Sequence, residues 1–477
     1  MPSYSPGTAP FPFAQTLAPF LQAAGLPLAE VLTAPDIEQA CSDEHVTFGQ
    51  SKRSFWTPAL TLWAFLCQVL GADPSCRQAV AQVVTALALS CDPKDLDTGA
   101  YCRARAKLPA TVLQRLALQV GRRLEETALE SWRWHGRRVL LADGSTSTLP
   151  DTEENQQAFP QPAMQKPGLG FPMIRWVVLV GFATAAVQGL AYGPYRGKET
   201  GETALFRELL GQLATGDVVV ADRYYCSYFL LALLQARGID VVFRLHQRRH
   251  YDFRAGQRLG PGDQVAVWRR PERPDWMTEA EYQEIPETIR VREVLVEVNE
   301  PGCRVRHLVI ATTLVDAKEF PKEDIAELYH RRWHIELDIR TLKTTLQMDQ
   351  LRCLTPFMVA KEIWVHCLGY NLVRKVAAQA ALSAGVSPRE ISFKATLQVV
   401  RGAWQKLTAT TGDDYVRLAQ SLVRALHKQR VGQRPGRCEP RAVKRRPKPH
   451  KQLREPRATA TAKLLGQSKP KAKPPTT

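Results

Sequence analysis

The chain has no Lys or Arg before Lys52, and its first charged residue of either sign is Glu30. A secretory leader opens on a basic segment, so none is read here. Its ten cysteines stand singly, with no C-x-x-C pair. That argues against a zinc ribbon or a dithiol redox motif. Thiols in apolar surroundings, such as Cys67 and Cys367, suit a reducing cytosol. Long apolar runs are missing too. Phe11–Leu28 is interrupted by Pro12, Pro19 and Pro27, and Trp176–Val187 falls short of the ~20 residues needed to span a bilayer. No internal repeat occurs, which excludes solenoids and propellers. These absences predict a soluble protein without a membrane partner.

What the chain does have is length and positive charge. Its 477 residues are 44% hydrophobic, enough for two to four domains with large cores. Lys and Arg number 64 against 47 Asp and Glu, a net charge of +17. Such an excess points to a polyanionic partner. The charge is uneven. Lys428–Thr477 holds 16 Lys and Arg against 2 Asp and Glu, so +14 lies in this tail and only +3 in the rest. The tail carries eight prolines and few large apolar residues, and it reads as disordered. It serves either non-specific DNA affinity through counterion release or solubility alone.

Residues 1–45 are rich in Pro and Ala and read as irregular or weakly helical. Residues 46–135 read as a helical domain. A helix over Gln78–Leu89 opens at Pro74 or Ser75, Thr98 caps a helix ending at Lys107, and Pro109 starts another running to about Trp132. Arg103 and Lys107 lie one turn apart with Arg105 nearby. They form either a phosphate-facing surface or a solvated helix face.

From residue 136 the pattern changes to short apolar strands. Arg138–Ala142 ends in Asp143-Gly144, Met173–Gly181 and Ala185–Tyr192 form a pair, and Asp217–Ala221 ends at Asp222. Helices fall over Glu202–Leu213 and Tyr228–Ala236, with a fifth strand over Asp240–Leu245. Residues 136–245 thus read as the first part of an α/β core. Residues 246–303 read as a β-rich insertion, and residues 304–350 return to the core through a strand and a long helix from Glu323 to about Met348. Residues 351–427 supply further helices, with a possible dimerisation role, and 428–477 is the basic tail. Strand order and the late helix match a ribonuclease H-like mixed sheet.

The long helix carries Tyr329, Arg332, Glu336 and Lys343. At about 100° per residue all four fall within an arc of about 60°, beside an apolar stripe of Leu328, Ile335, Ile339, Leu342 and Leu346. Packing the stripe on the sheet turns the polar arc towards the edge that bears Asp143 and Asp222. Three converging carboxylates repel one another unless cations join them. Hard divalent ions take such oxygen ligands, and a pair of them serves phosphoryl displacement. Tyr329, Arg332 and Lys343 would hold phosphate oxygens. Taken singly, Asp143 before Gly144 also suits a turn, Asp222 before Arg223 a helix cap, and Glu336 with Lys343 a solvated face.

Tyr329-x-x-Arg332-x-x-x-Glu336-x6-Lys343 resembles the Y-R-E-K signature of DDE-type insertion-sequence transposases. The blocks Ala142-Asp143-Gly144-Ser145-Thr146 and Ala221-Asp222-Arg223-Tyr224-Tyr225 resemble that family's two aspartate blocks, and the similarity extends over roughly residues 50–427. The resemblance implies a ribonuclease H-like core broken by an insertion before the glutamate. It further implies a DNA transposase using two Mg²⁺ ions, with Mn²⁺ able to substitute. Asp143, Asp222 and Glu336 would be the catalytic metal ligands. Tyr329, Arg332 and Lys343 would contact DNA, with Trp333, Arg223, Arg103 and Lys107 as further DNA-binding candidates. Trp333 either stacks near a flipped base or packs in a core, and Trp268 and Trp276 are weaker candidates for stacking. The partners implied are double-stranded DNA, as terminal inverted repeats and target, and a second copy of the chain. The setting implied is a bacterial cytoplasm, at the nucleoid. Two other readings fit the same residues: a two-metal, structure-selective endonuclease or resolvase that never joins strands, and a non-catalytic DNA-binding derivative of a transposase.

Overall fold

A computed structural model describes residues 34–49, 54–87, 96–298, 307–409, 412–432 and 455–466. The chain opens with helices α1 (Ala34–Asp43), α2 (Pro58–Leu70), α3 (Cys76–Leu87), α4 (Gly99–Lys107) and α5 (Ala110–Glu126). Thr57 caps α2 by accepting from the Leu60 N–H, with Pro58 in the first turn. Ser75 caps α3 in the same way through the Gln78 N–H. Thr98 stands before α4 without a side-chain cap bond, and Pro109 stands just before α5 rather than inside it. Within the segment expected to be irregular or weakly helical, Ala34–Asp43 is a regular helix. It is fastened to α5 by ion pairs of Asp36 with Arg123 and Asp43 with Arg115. Residues 1–33 lie outside the described residues.

The sheet starts with β1 (Val139–Thr148). Helix α6 (Glu153–Ala158) precedes β2 (Met173–Gly181) and β3 (Val187–Pro194). Then come α7 (Glu202–Glu208), β4 (Val218–Ala221), α8 (Tyr228–Gln235) and β5 (Asp240–Arg244). The insertion supplies β6 (Gln257–Gly260), β7 (Asp263–Arg269), α9 (Glu279–Glu284) and β8 (Thr288–Glu297), and the chain returns in β9 (His307–Thr312). The nine strands of the described residues form one sheet in the order β3-β2-β1-β4-β5-β9-β8-β7-β6. Strands β1, β4 and β5 run parallel, whereas β2, β3 and β9 pair antiparallel with their neighbours. The insertion therefore builds no sheet of its own but widens the core sheet. Arg292 on β8, fully buried, pairs with Asp263 through both nitrogens of its fork (2.8 and 2.6 Å) and donates to Phe320 O at 2.7 Å, which ties insertion to core.

Both faces of the sheet are covered at its core strands, so β2, β4 and β5 are apolar without alternation. Leu141, Val178, Val218 and Val220 face a core shared with α1–α5 and the C-terminal helices. Ala142, Val177, Val219 and Ala221 face a second core with α7 and α8. One departure from expectation matters for the site. β1 does not stop at Asp143 but continues to Thr148 beside β2, whereas its ladder with β4 ends at Leu141–Val220. Beyond that pair the sheet has a notch, open on the β4 side.

The long helix is also less regular than its sequence suggests. It comprises α10 (Lys322–His330), a 3₁₀ turn at Arg331–Trp333, α11 (His334–Arg340) and a π turn at Thr341–Thr345. Its end is fixed to β1: the Thr148 N–H donates to Asp349 O and Thr148 O accepts from Leu351 N–H, both at 3.0 Å. The chain continues in α12 (Pro356–Ala384), α13 (Phe393–Ala409) and α14 (Gly412–Leu426). Helix α12 is buried nearly all round, as a helix in the middle of a core must be. Within the tail read as disordered, Arg457–Leu464 forms α15; residues 433–454 and 467–477 lie outside the described residues. Among the described residues no helix is long and apolar enough to cross a membrane.

One buried carboxylate locks the long helix in place. Asp338 on α11 is 1% exposed. It accepts from Arg374 at 2.8 Å, Arg389 at 2.9 Å and the Tyr370 hydroxyl at 3.1 Å. Arg389 also donates to the carbonyls of Gly181 and Phe182, at 2.8 and 2.5 Å, at the end of β2. Asp338→Ala leaves two guanidinium groups without their counter-ion. It should lower the unfolding free energy by about 3–5 kcal/mol in urea titrations.

Candidate active site

Asp143 and Asp222 flank the notch. Asp143 lies on β1 two residues past its last pairing with β4, and Asp222 directly follows β4. Asp143 and Leu141 share a face, the face on which α10 and α11 pack through Leu328, Ile335 and Ile339. Asp222 Oδ1 accepts from the Tyr224 N–H at 2.7 Å, a local turn that holds the carboxylate at the strand end. Burial raises the Asp143 carboxyl to about 6; the Gly144 N–H (2.8 Å) and Arg332 oppose this, while the negative charges of Asp222 and Glu202 add to it.

The long helix brings Tyr329 and Arg332 to the same place. Tyr329 is 9% exposed, and its burial raises the phenol. Arg332 lies between two acids, with Nη1 3.8 Å from Asp143 Oδ2 and Nη2 2.8 Å from Glu336 Oε1. Lys343, carried by the π turn, donates from Nζ to Ser145 Oγ on β1 at 3.1 Å. Glu336 differs from the two aspartates. Its side chain is 59% exposed and turned outward in the pair with Arg332.

The oxygen donors suit a hard cation, since Asp143 and Asp222 are carboxylates in a shared field. Among the described residues, however, no three His, Cys, Asp or Glu side chains converge closely enough to hold an ion together. The two aspartates fit the first half of such a site, and Glu336 joins them only by leaving Arg332.

Trp333 is 44% exposed and meets His334 edge-on, so it is not core packing. Trp268 is core: it is 3% exposed, and its indole N–H donates to Glu293 at 3.0 Å. Arg223 donates to Gln247 at 2.9 Å beside Tyr224. Arg103 and Lys107 are exposed on α4. Arg105 instead turns inward, donating to Gln68 at 2.8 Å over the Phe65 ring.

Three features escaped the sequence pattern. Glu202, the first residue of α7, packs its carboxylate against Gly144. Tyr225 is fully buried, with a hydroxyl that has no hydrogen-bond partner. A cleft of about 670 Å³ opens beside Tyr224, lined by Arg207, His246, Arg248, Arg249 and Trp276. Arg207 lies 3.8 Å over the Trp276 ring and Arg249 3.8 Å over that of Trp268. The sequence marked Tyr225 only as part of the second aspartate block and Trp276 only as a weaker stacking candidate, and gave no sign of how these residues combine. They are scattered across α7, the β4–α8 turn and the insertion, and only the fold gathers them.

The mixed sheet thus carries Asp143 within β1 and Asp222 just past the adjacent parallel strand β4, faced by a long helix bearing Tyr329, Arg332, Glu336 and Lys343. The model of the family described as "Transposase DDE domain" matches residues 134–372, half of the chain, and the chain belongs to this family of transposases. It is 27% identical over 353 residues to the transposase InsG of insertion sequence element IS4 from Escherichia coli (strain K12). The match covers 71% of this chain and 77% of that protein. Among solved structures, a piggyBac transposase synaptic complex with hairpin DNA aligns with a TM-score of 0.42 at 10% identity, over 90% of this chain and 86% of that one.

The raised Asp143 carboxyl sets a pH dependence. In the folded protein the group keeps its proton up to about pH 6, whereas the unfolded chain releases it near the ordinary aspartate value of 3.8. The stabilisation is therefore present below about pH 4 and lost as pH rises through 6. Without added metal, Asp143→Asn should be more stable than wild type at pH 7.5, by roughly 2 kcal/mol. Near pH 4 the two should coincide, as thermal melts at the two pH values will report.

Proposed function

We propose that the chain is a DNA transposase that cleaves DNA at transposon ends and transfers the freed 3′-hydroxyl into target DNA. The observation that carries this reading is the pairing of Asp143 and Asp222 across the notch, with the Tyr329–Lys343 face of the long helix closing over it. The first five strands, in the order β3-β2-β1-β4-β5 with β1, β4 and β5 parallel, support a ribonuclease H-like core. Residues 246–303 are its insertion.

Asp143, Asp222 and Glu336 would hold divalent ions, Mg²⁺ by preference with Mn²⁺ as substitute. Such ions, when bound, activate the attacking oxygen and stabilise the leaving one. The protein's own groups do the remaining work. Arg332 and Lys343 are cations directed at the notch and suited to phosphate oxygens, with Arg332 exchanging Glu336 for the DNA strand. Tyr329 backs Arg332 from a buried position. Trp333, exposed beside this group, offers a ring for an unstacked base. The cleft beside Tyr224, with its arginines over aromatic rings, extends the cationic surface away from Asp222 and suits a DNA backbone. The helices of residues 46–135 would bind the transposon end through Arg103 and Lys107, residues 351–427 would support a homodimer, and the basic tail would add non-specific affinity.

On this reading the DNA flanking the gene should carry imperfect inverted repeats bracketed by short direct repeats, and that DNA would be the substrate. With that DNA, Asp143→Asn, Asp222→Asn and Glu336→Gln should each lower end cleavage by at least about 10²-fold. A Glu336→Ala variant as active as wild type would sink the assignment of the triad. Precleaved ends incubated with Mg²⁺ or Mn²⁺ should yield joined product; none would favour an endonuclease that does not join strands. Arg103→Ala with Lys107→Ala should weaken end binding and reduce the slope of log K against log salt by about 2.

A further inference from the structure

One acidic side chain meets the same notch from the far side of the sheet. Side chains alternate along β1, so Asp143 faces the long helix and position 144 faces α7 and α8. Gly144 has no left-handed backbone, so its conformation does not call for glycine. Space does. A Cβ at 144 would lie 2.5 Å from Glu202 Cδ and 2.7 Å from Glu202 Oε1. Glycine inside a strand marks a close approach, and here the approaching group is a carboxylate.

That approach runs against simple electrostatics. Glu202 begins a helix whose Leu205 and Phe206 are core, and its carboxylate is brought towards two others. Burial raises its carboxyl, and the charge of Asp222 raises it further; Arg175 opposes this. Arg175 is also engaged elsewhere, donating to Thr200 O at 2.8 Å. An independent sign comes from Tyr225. Its hydroxyl is fully buried, has no partner, and lies in the field of Glu202, Asp143 and Asp222 together. A phenol donor without an acceptor, among three carboxylates, marks a place where a bound species completes the hydrogen bonding.

We propose that Glu202 is a fourth carboxylate of this centre. It reaches the notch through the space left by Gly144 and accepts hydrogen bonds from the water shell of a divalent cation held by Asp143 and Asp222, with the Tyr225 hydroxyl bonding into the same shell. Mg²⁺ keeps several of its waters, so a carboxylate too far away for direct ligation still has a role. Glu202 is in this sense a positioning residue. The proposal rests on reading Asp143 and Asp222 as cation ligands.

The test is Mn²⁺ binding to the DNA-free full chain, followed by loss of the electron paramagnetic resonance signal of the free aqueous ion, with thermal melts to verify folding. Asp143→Asn combined with Asp222→Asn should abolish high-affinity binding. Glu202→Gln should weaken it about tenfold or more. Gly144→Ala should do the same without removing any charge, because its methyl group displaces the Glu202 carboxylate. Glu202→Gln and Gly144→Ala both binding as wild type, while the double aspartate variant fails to bind, would overturn the role of Glu202 and leave the aspartates as ligands. Undiminished binding by the double aspartate variant would overturn both. A loss in Glu202→Gln but not in Gly144→Ala would overturn the route past Gly144. Should Gly144→Ala not fold, Glu202→Gln decides the matter.

Discussion

A buried charge must find partners, and in this protein that requirement fixes the geometry of everything around the notch. Asp338 stands two residues from Glu336, with Arg374, Arg389 and Tyr370 closed over it. Through Arg389 the same carboxylate is joined to the end of β2, and through Arg374 to the central helix α12. The long helix is thus anchored at its middle by ionic hydrogen bonds and at its end by the backbone bridge to Thr148. The π turn lies between these anchors and takes up the difference in register. That turn carries Lys343 to Ser145, so an irregularity in the helix serves the site.

Opposing charges set the state of the centre. Carboxylates gathered at the end of a parallel ladder repel, and Arg332 offsets part of that repulsion from within by spanning Asp143 and Glu336. The guanidinium occupies the kind of position that a divalent ion would contest. Glu336 pairs outward for the same reason. On the function proposed above, Arg332 would pass from these protein carboxylates to a phosphate.

Much of this was legible in the sequence, for definable reasons. The strands of the core announce themselves as short apolar runs because both faces of the sheet are covered, and Met173–Gly181 is found where the run predicts it. Asp143 and Asp222 stand out because charge interrupts those runs. What failed was whatever depended on partners distant in sequence. The end of β1 was misplaced because the Asp143-Gly144 pair looks like a turn, whereas β2 continues alongside it and Gly144 answers to Glu202. The long helix was read as regular because a 100° wheel cannot register a 3₁₀ or a π turn imposed by anchors elsewhere. Asp338 passed unnoticed beside Glu336, since its arginines lie on later helices. Arg105, grouped with Arg103 and Lys107 by spacing, turned inward because Gln68 and Phe65 give it a better environment than solvent does.

The placement of β9 has a consequence for how such a chain tolerates change. Strands β5 and β9 lie side by side and antiparallel, so the core meets the insertion as the two arms of a hairpin. Seen from the core, everything from the end of β5 to the start of β9 is a turn of unspecified length. The module between the arms joins the core through β8 on β9 and through Arg292, whereas the register of β1, β4 and β5 is set by their own pairings. The catalytic half of the molecule is held constant by the topology itself.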